Sequence, residues 1–260
     1  MNLIYYSQIG LCHNFLLKLI IYYVLEWEMI KVIKIKTIIM FVGIIMASVL
    51  LSVGIVNVAS LEKVPKPIYT IVVDAGHGGR DDGCSGTDGT KESVINLQIA
   101  KKLQGFLETL GINVVMTRSD GNGLYSAGVD NYKQSDMEKR IEIINDANPH
   151  MVISIHSNAY SDRSQRGAQA FYQEDDENSK MFAEGVQSQL LSQLDFARKE
   201  PNKGDYYLLK ECGLPSVLIE CGYLTNAEEE ALLKTEEYQY KVAYAIMCGV
   251  VKYFNLCGND

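Results

Sequence analysis

Three short apolar runs set the terms for this chain. Ile71-Val72-Val73 leads into Asp74-Ala75-Gly76-His77-Gly78-Gly79, and Met151-Val152-Ile153-Ser154-Ile155 leads into His156-Ser157-Asn158. Pro215-Ser216-Val217-Leu218-Ile219 leads into Glu220-Cys221-Gly222. Short apolar runs rich in β-branched residues and bounded by glycine or polar clusters read as buried strands. In open α/β sheets, ligands sit in the crevice beyond the carboxyl ends of the strands. Each run delivers a titratable side chain there: His77, His156 or Glu220. A lone loop histidine is usually a surface or hydrogen-bonded residue. Repetition at three strand ends points to a functional crevice.

Between these runs the chain alternates strand and helix. The pattern predicts a first strand over 68–73, then a Gly/Asp-rich loop over 80–89. A helix opens near Glu92, carries Val94, Ile95, Leu97, Ala100, Leu103, Leu107 and Leu110 at helical spacing, and ends at Gly111. A strand over 113–116 and a polar excursion over 118–136 follow, then a helix over 135–147 with Met137, Ile141, Ile144 and Ala147 on one face. Beyond the His156 strand come a strand over 167–172, a helix over 177–194, and a loop over 195–212 with a strand at 206–209. Asn226 caps a short acidic helix, and a final helix over 237–255 turns Tyr240, Tyr244, Met247, Val251 and Phe254 inward. This alternation predicts an α/β fold: a single three-layer α/β/α domain with a mixed, mostly parallel sheet of about six strands flanked by helices.

The folded domain is expected over 68–257, preceded by a linker over 61–67. Residues 1–60 read as an export signal or a membrane anchor, because Lys31, Lys34 and Lys36 precede an apolar run over 37–58. A signal reads cleanly from Met29, which marks it as the expected true start; a cleaved signal would end near Ala59 or Ser60, and the run is equally long enough for an uncleaved anchor. The formal charge of −8 and the absence of a basic stripe exclude a nucleic-acid partner. None of the six cysteines forms a C-x-x-C pair, so a zinc ribbon or thioredoxin-like motif is excluded. Cys212 and Cys221 are candidates for a disulfide; the other cysteines read as small core residues.

A catalytic zinc site takes three N/O protein ligands and keeps one position open, and two histidines with one glutamate form a recognised set. His77, Glu92 and His156 supply it, the glycine-rich loop folding back to bring Glu92 to His77. By itself Glu92 reads as a first-turn acid favoured by the helix dipole. Glu220, an acid at the end of an apolar strand, either pairs with Arg118 or Arg140 or serves as a catalytic base. As a base it would take a proton from the attacking water and return it to a leaving nitrogen.

Asp74-Ala75-Gly76-His77-Gly78-Gly79, Lys91-Glu92, Ser154-Ile155-His156-Ser157-Asn158 and Ile219-Glu220-Cys221-Gly222-Tyr223-Leu224-Thr225-Asn226 closely resemble the zinc-dependent N-acetylmuramoyl-L-alanine amidases of the Amidase_3 family. The resemblance covers residues 68–254. It implies one zinc ion per chain on His77, Glu92 and His156, and Glu220 as the catalytic glutamate. It implies a peptidoglycan substrate, cut between the lactyl group of muramic acid and L-alanine. Asn158 and Arg118 are the expected substrate contacts.

Within the family the chain is most similar to the germination-specific spore-cortex group, in which peptide removal prepares muramic acid for δ-lactam formation by a separate deacetylase. With the N-terminal segment, export is expected, to the cell wall or the forespore intermembrane space, either as a secreted protein or attached to the membrane through that segment. With no inhibitory element in sight, control by expression, location or an accessory protein is expected.

Other chemistries fit less well. A zinc carboxypeptidase needs His-x-x-Glu, and Arg80 stands three residues after His77. Gly83-Cys84-Ser85-Gly86 has the wrong length for G-x-S-x-G. A cysteine nucleophile at Cys84 or Cys221 is a weaker option, and glycines 76, 78 and 79 lack the further glycine of a dinucleotide loop. The rival class is a non-catalytic peptidoglycan-binding or scaffold protein, marked by loss of Glu220 or a ligand; all four residues are present.

Overall fold

The computed structural model describes residues 22–31, 33–37, 39–46, 48 and 69–257. The chain divides into two units, Met1–Val64 and Pro65–Asp260. The described residues of the first unit are helical and expose their apolar side chains. Among the described residues no helix is long and apolar enough to cross a membrane. Most of the 37–58 run expected to be signal or anchor, the expected cleavage point and the 61–67 linker lie outside the described residues.

The second unit is a six-stranded sheet with helices on both faces. Its elements run β1 (Thr70–Ala75), α1 (Glu92–Thr109), β2 (Asn113–Met116), α2 (Tyr132–Ala147), β3 (Met151–Asn158), β4 (Gln169–Tyr172), α3 (Glu177–Gln193), β5 (Asn202–Lys203), α4 (Tyr207–Glu211), β6 (Ser216–Tyr223), α5 (Ala227–Leu233) and α6 (Glu236–Cys257). The strand order is β2-β1-β3-β6-β4-β5. β2, β1, β3 and β6 are mutually parallel, and β4 runs antiparallel to β6. The expected mixed, mostly parallel α/β/α sheet is what forms. From β1 the chain first adds β2 on one side and then β3 on the other. The strand order therefore reverses between β1 and β3, where open α/β sheets bind their ligands.

Side chains alternate across the sheet, so each strand feeds two cores. Ile71, Val73, Ile153, Ile155, Val217 and Ile219 pack under α1, α3 and α6. Val72, Val152 and Leu218 pack under α2 and α4 with Ile144, Leu208 and Leu209. Each fully buried branched side chain contributes about 1.5–3 kcal/mol. The same alternation puts Asp74, Ser154, His156 and Glu220 on the second face, toward α2 and α4.

Three expectations are corrected. Residues 206–209, read as a strand, begin α4: Leu208 and Leu209 are both buried in the same small core, which successive residues of a strand cannot be. The edge strand is instead β5, and it pairs with β4. In α6 the inward face is Tyr238, Val242, Ala243, Ala245, Ile246, Val250 and Tyr253, whereas Tyr240, Tyr244 and Val251 are exposed. Large side chains misled the periodicity: α6 meets α3 closely at Gly249, where a Cβ would come within 2.6 Å of the Val186 Cα. Finally, Cys212 and Cys221 are free thiols on opposite faces of the sheet, so no disulfide joins them.

Candidate metal centre and catalytic cleft

His77 stands in the turn after β1 with φ +64°, a left-handed conformation that side-chain-bearing residues rarely adopt. Two buried arginines hold the turn in place. Arg118 donates from Nε to the Ala75 carbonyl (2.8 Å) and from Nη2 to the Gly76 carbonyl (3.0 Å). Arg140 donates from Nη1 to the Ala75 carbonyl (3.0 Å) and from Nη2 to the His77 carbonyl (2.8 Å). Arg140 is itself held by Asp74 and by Asp136 (Nε to Oδ2, 2.6 Å). Asp74 also accepts from the hydroxyls of Thr117 (2.7 Å) and Ser154 (2.6 Å). Such a buried charged network stays stable only when every member is paired, and here each is.

Asp81 Oδ2 lies 2.9 Å from Nδ1 of His77, leaving Nε2 toward Glu92 Oε1 at 3.2 Å. His156 Nδ1 lies 3.0 Å from the same Glu92 oxygen. Glu92, in the first turn of α1, also accepts from the Cys84 amide (2.8 Å), the Ser157 amide (3.3 Å) and Asn96 Nδ2 (3.1 Å). Asn96 lies one helical turn on and bridges further to the Gly76 carbonyl and the Ser157 hydroxyl. One ligand atom from each of His77, Glu92 and His156 falls within 4.8 Å of the others, a spacing that could hold a metal ion. Burial opposes the Glu92 charge, but the two histidines outweigh it and hold the carboxyl far below its usual range. Burial also works against a charged His77, yet Glu92 and Asp81 push its pKa up to about 9. A carboxylate that favours positive charge on the neighbouring His77 also favours a divalent cation in the same place.

Glu220 lies directly across the β3–β6 register from His156. Burial, assisted by the Glu92 charge and opposed by the histidines, pushes its pKa up to about 7. Its Oε2 is buried without a hydrogen-bond partner, and no other carboxylate oxygen among the described residues is so placed. Neither Arg118 nor Arg140 pairs with it, since both are spent on the β1 turn. A cavity of about 450 Å³ opens in front, between this face of the sheet and the starts of α2 and α4. Tyr132, Lys133 and Met137 form one wall and Tyr206, Tyr207 and Leu208 the other.

The structure thus gathers His77, Glu92, His156 and Glu220 in one place. Asn158 also lines the cavity. Arg118 does not: it is 4% exposed and lies behind the turn. Sequence reasoning gave no role to Asp74, Asp81 or Asn96, and offered Arg140 only as a partner for Glu220. Only Asn96 carried a usable signal, four residues after Glu92 on the same helix face.

Residues 71–252 match the N-acetylmuramoyl-L-alanine amidase family, Amidase_3. The chain belongs to that family, and it is a peptidoglycan amidase of the N-acetylmuramoyl-L-alanine type. It is 34% identical over 193 residues to the germination-specific N-acetylmuramoyl-L-alanine amidase of Bacillus subtilis, covering 73% of this chain and 81% of the relative. The solved structure of the CwlD amidase from Clostridioides difficile, in complex with the GerS lipoprotein, is 40% identical, with a TM-score of 0.70. That match covers 72% of this chain and 99% of the other. The catalytic domain of the CwlV amidase from Bacillus (Paenibacillus) polymyxa matches at 29% identity and TM-score 0.65, over 72% of this chain and 99% of that domain.

Proposed function

We propose that the protein cleaves the amide between the lactyl group of N-acetylmuramic acid and L-alanine in spore cortex, as the first step toward muramic δ-lactam. One zinc ion is held by His77, Glu92 and His156. The donor set fits: two imidazole nitrogens and a carboxylate converge within 4.8 Å, and a buried carboxylate oxygen at Glu220 is left without a partner beside them. Zinc bound there supplies Lewis acidity toward the scissile carbonyl and toward water.

The chain's own residues do the rest. Asp81 orients His77, and Asn96 and Ser157 fix the Glu92 carboxylate. Glu220 takes a proton from the attacking water and returns it to the leaving nitrogen; a carboxyl poised near neutrality suits both transfers. Asn158 contacts the substrate from the cavity wall, while Arg118 acts by holding the turn. The orphaned Glu220 oxygen facing the cluster is the observation that carries this reading.

Residues 1–60 act as export signal or membrane anchor, with translation starting at Met29, and 68–257 form the catalytic domain. The enzyme works outside the membrane. An accessory protein regulates it, in keeping with the relative whose solved structure is a complex with a lipoprotein. The test is mass spectrometry of muropeptides digested by the exported domain, with and without zinc. Glu220→Gln should abolish release of stem peptide. Release at the parental rate would disprove the catalytic assignment.

A further inference from the structure

The cavity mouth carries a feature that the hydrolytic chemistry does not use. Of the Lys and Arg side chains lining the cavity, Arg140 is buried and committed to Asp74, Asp136 and two carbonyls, which leaves Lys133 as the cation open to a ligand. The Lys133 side chain, in the first turn of α2, is 63% exposed. Its Nζ reaches only to 3.5 Å from Asp81 Oδ1, well beyond the roughly 2.7–2.9 Å of a charge-assisted hydrogen bond.

Next to it, Tyr132 presents its ring to Arg80, whose guanidinium carbon sits 5.0 Å from the ring centroid. Tyr125 packs edge-on against Tyr132 at 5.6 Å and its hydroxyl accepts from the Arg80 amide at 3.0 Å, so ring and rim are fixed together. No carboxylate among the described residues lies against the Arg80 guanidinium. An arginine stacked on an aromatic face keeps its in-plane donors free and spends little entropy on binding a planar anion.

We infer that Arg80 and Lys133, set around Tyr132, form a receptor for a carboxylate of the stem peptide. The inference rests on the amidase reading above and adds a specificity to it: stem peptides with free carboxylates are preferred over amidated ones. The chemistry favours this occupant. Asp74 and Asp136 are neutralised by Arg140, and Asp81 is shared between His77 and Lys133, which leaves the Arg80 guanidinium, stacked on the cavity-lining Tyr132, without a countercharge among the described residues. The leaving peptide of the proposed reaction is anionic.

The test compares two muropeptides, one with free stem-peptide carboxylates and one with them amidated, on the zinc-loaded full chain. A hydrogen bond between charged partners is worth about 1.5–3 kcal/mol, so the parent should favour the free-carboxylate substrate in kcat/KM by at least about tenfold. In the R80A/K133A double variant that preference should fall to within about twofold, mainly through KM, and R80K/K133R should restore part of it. Equal cleavage of both substrates by the parent, or a preference unchanged in the double variant, would overturn the receptor. If the zinc-loaded parent cleaves neither substrate, the amidase reading itself fails and the receptor falls with it.

Discussion

Gly76 offers the sharpest test of how the cluster is held. Its φ lies outside the left-handed region, so the backbone accepts alanine there without strain. The obstacle is the His156 ring: a Cβ on residue 76 would sit 2.3 Å from Cε1 and Nε2 and 2.8 Å from Nδ1. Carbon atoms in ordinary contact stand about 3.5–4.0 Å apart, so the ring must retreat by roughly 1.2–1.7 Å. The His156 contact to Glu92, at 3.0 Å, does not survive such a move. A misplacement of about 1 Å in a catalytic group costs on the order of a hundredfold in rate.

Gly76→Ala should therefore lower kcat/KM by at least about a hundredfold and weaken zinc binding by about 10- to 100-fold. Overpacking of this kind costs roughly 1–3 kcal/mol of stability, so the domain should still fold. Gly105→Ala is the control: its Cβ meets nothing within 4 Å, inside α1. It should leave activity intact and stabilise by about 0.5–1 kcal/mol. Zinc titration, steady-state hydrolysis and thermal melts on the three proteins decide the matter. Zinc affinity and turnover of Gly76→Ala within threefold of the parent would refute the idea that glycine is required to seat the His156 ring.

Other expectations follow from the same structure. A chelator should abolish hydrolysis while far-UV circular dichroism stays unchanged, because the cluster borders the cleft rather than filling either core; a collapse of the spectrum would contradict this. Arg140→Met leaves Asp74 buried and unpaired and should cost about 3–5 kcal/mol in denaturant unfolding, where a loss under about 1 kcal/mol would count against the network. Burial opposes the Asp74 charge, but Arg140 and the Ser154 and Thr117 hydroxyls outweigh it and hold its pKa at about 2, against an ordinary 3.8. A depressed carboxyl stabilises above its unfolded pKa, here by roughly 2 kcal/mol, and loses that contribution as pH falls from about 4 through 2. Melting temperatures across that range should fall more steeply for the parent than for Asp74→Asn, and parallel curves would disprove the assignment.

Much of this was legible in the chain itself. Strands buried on both faces write themselves as unbroken apolar runs, so β1, β3 and β6 and the residues they carry could be read directly. The misreadings share a cause, in that contacts distant along the chain decided the outcome. Leu208 and Leu209 bury together because α2 covers them, and the inward face of α6 is set by its close approach to α3 at Gly249 rather than by its largest side chains. Arg118 looked free to meet substrate, but three backbone carbonyls of the β1 turn and α1 claim it, a demand that the sequence does not display. Asp74 and Arg140 meet across 66 positions, and neither gives any local sign of the other.

The pairing of residues 156 and 220 across a parallel ladder has a consequence for how such enzymes can diversify. Adjacent backbones in a sheet keep a spacing of about 4.8 Å whatever their side chains do, so the gap between the proposed ligand and the proposed base is inherited from the hydrogen-bonding lattice. The mouth, by contrast, is assembled from helix beginnings around Tyr132 and Tyr206, with Arg80 stacked on the Tyr132 ring beside it. Evolution can thus retailor which polymers enter by rewriting those rims, while the reactive centre rides unchanged on the lattice.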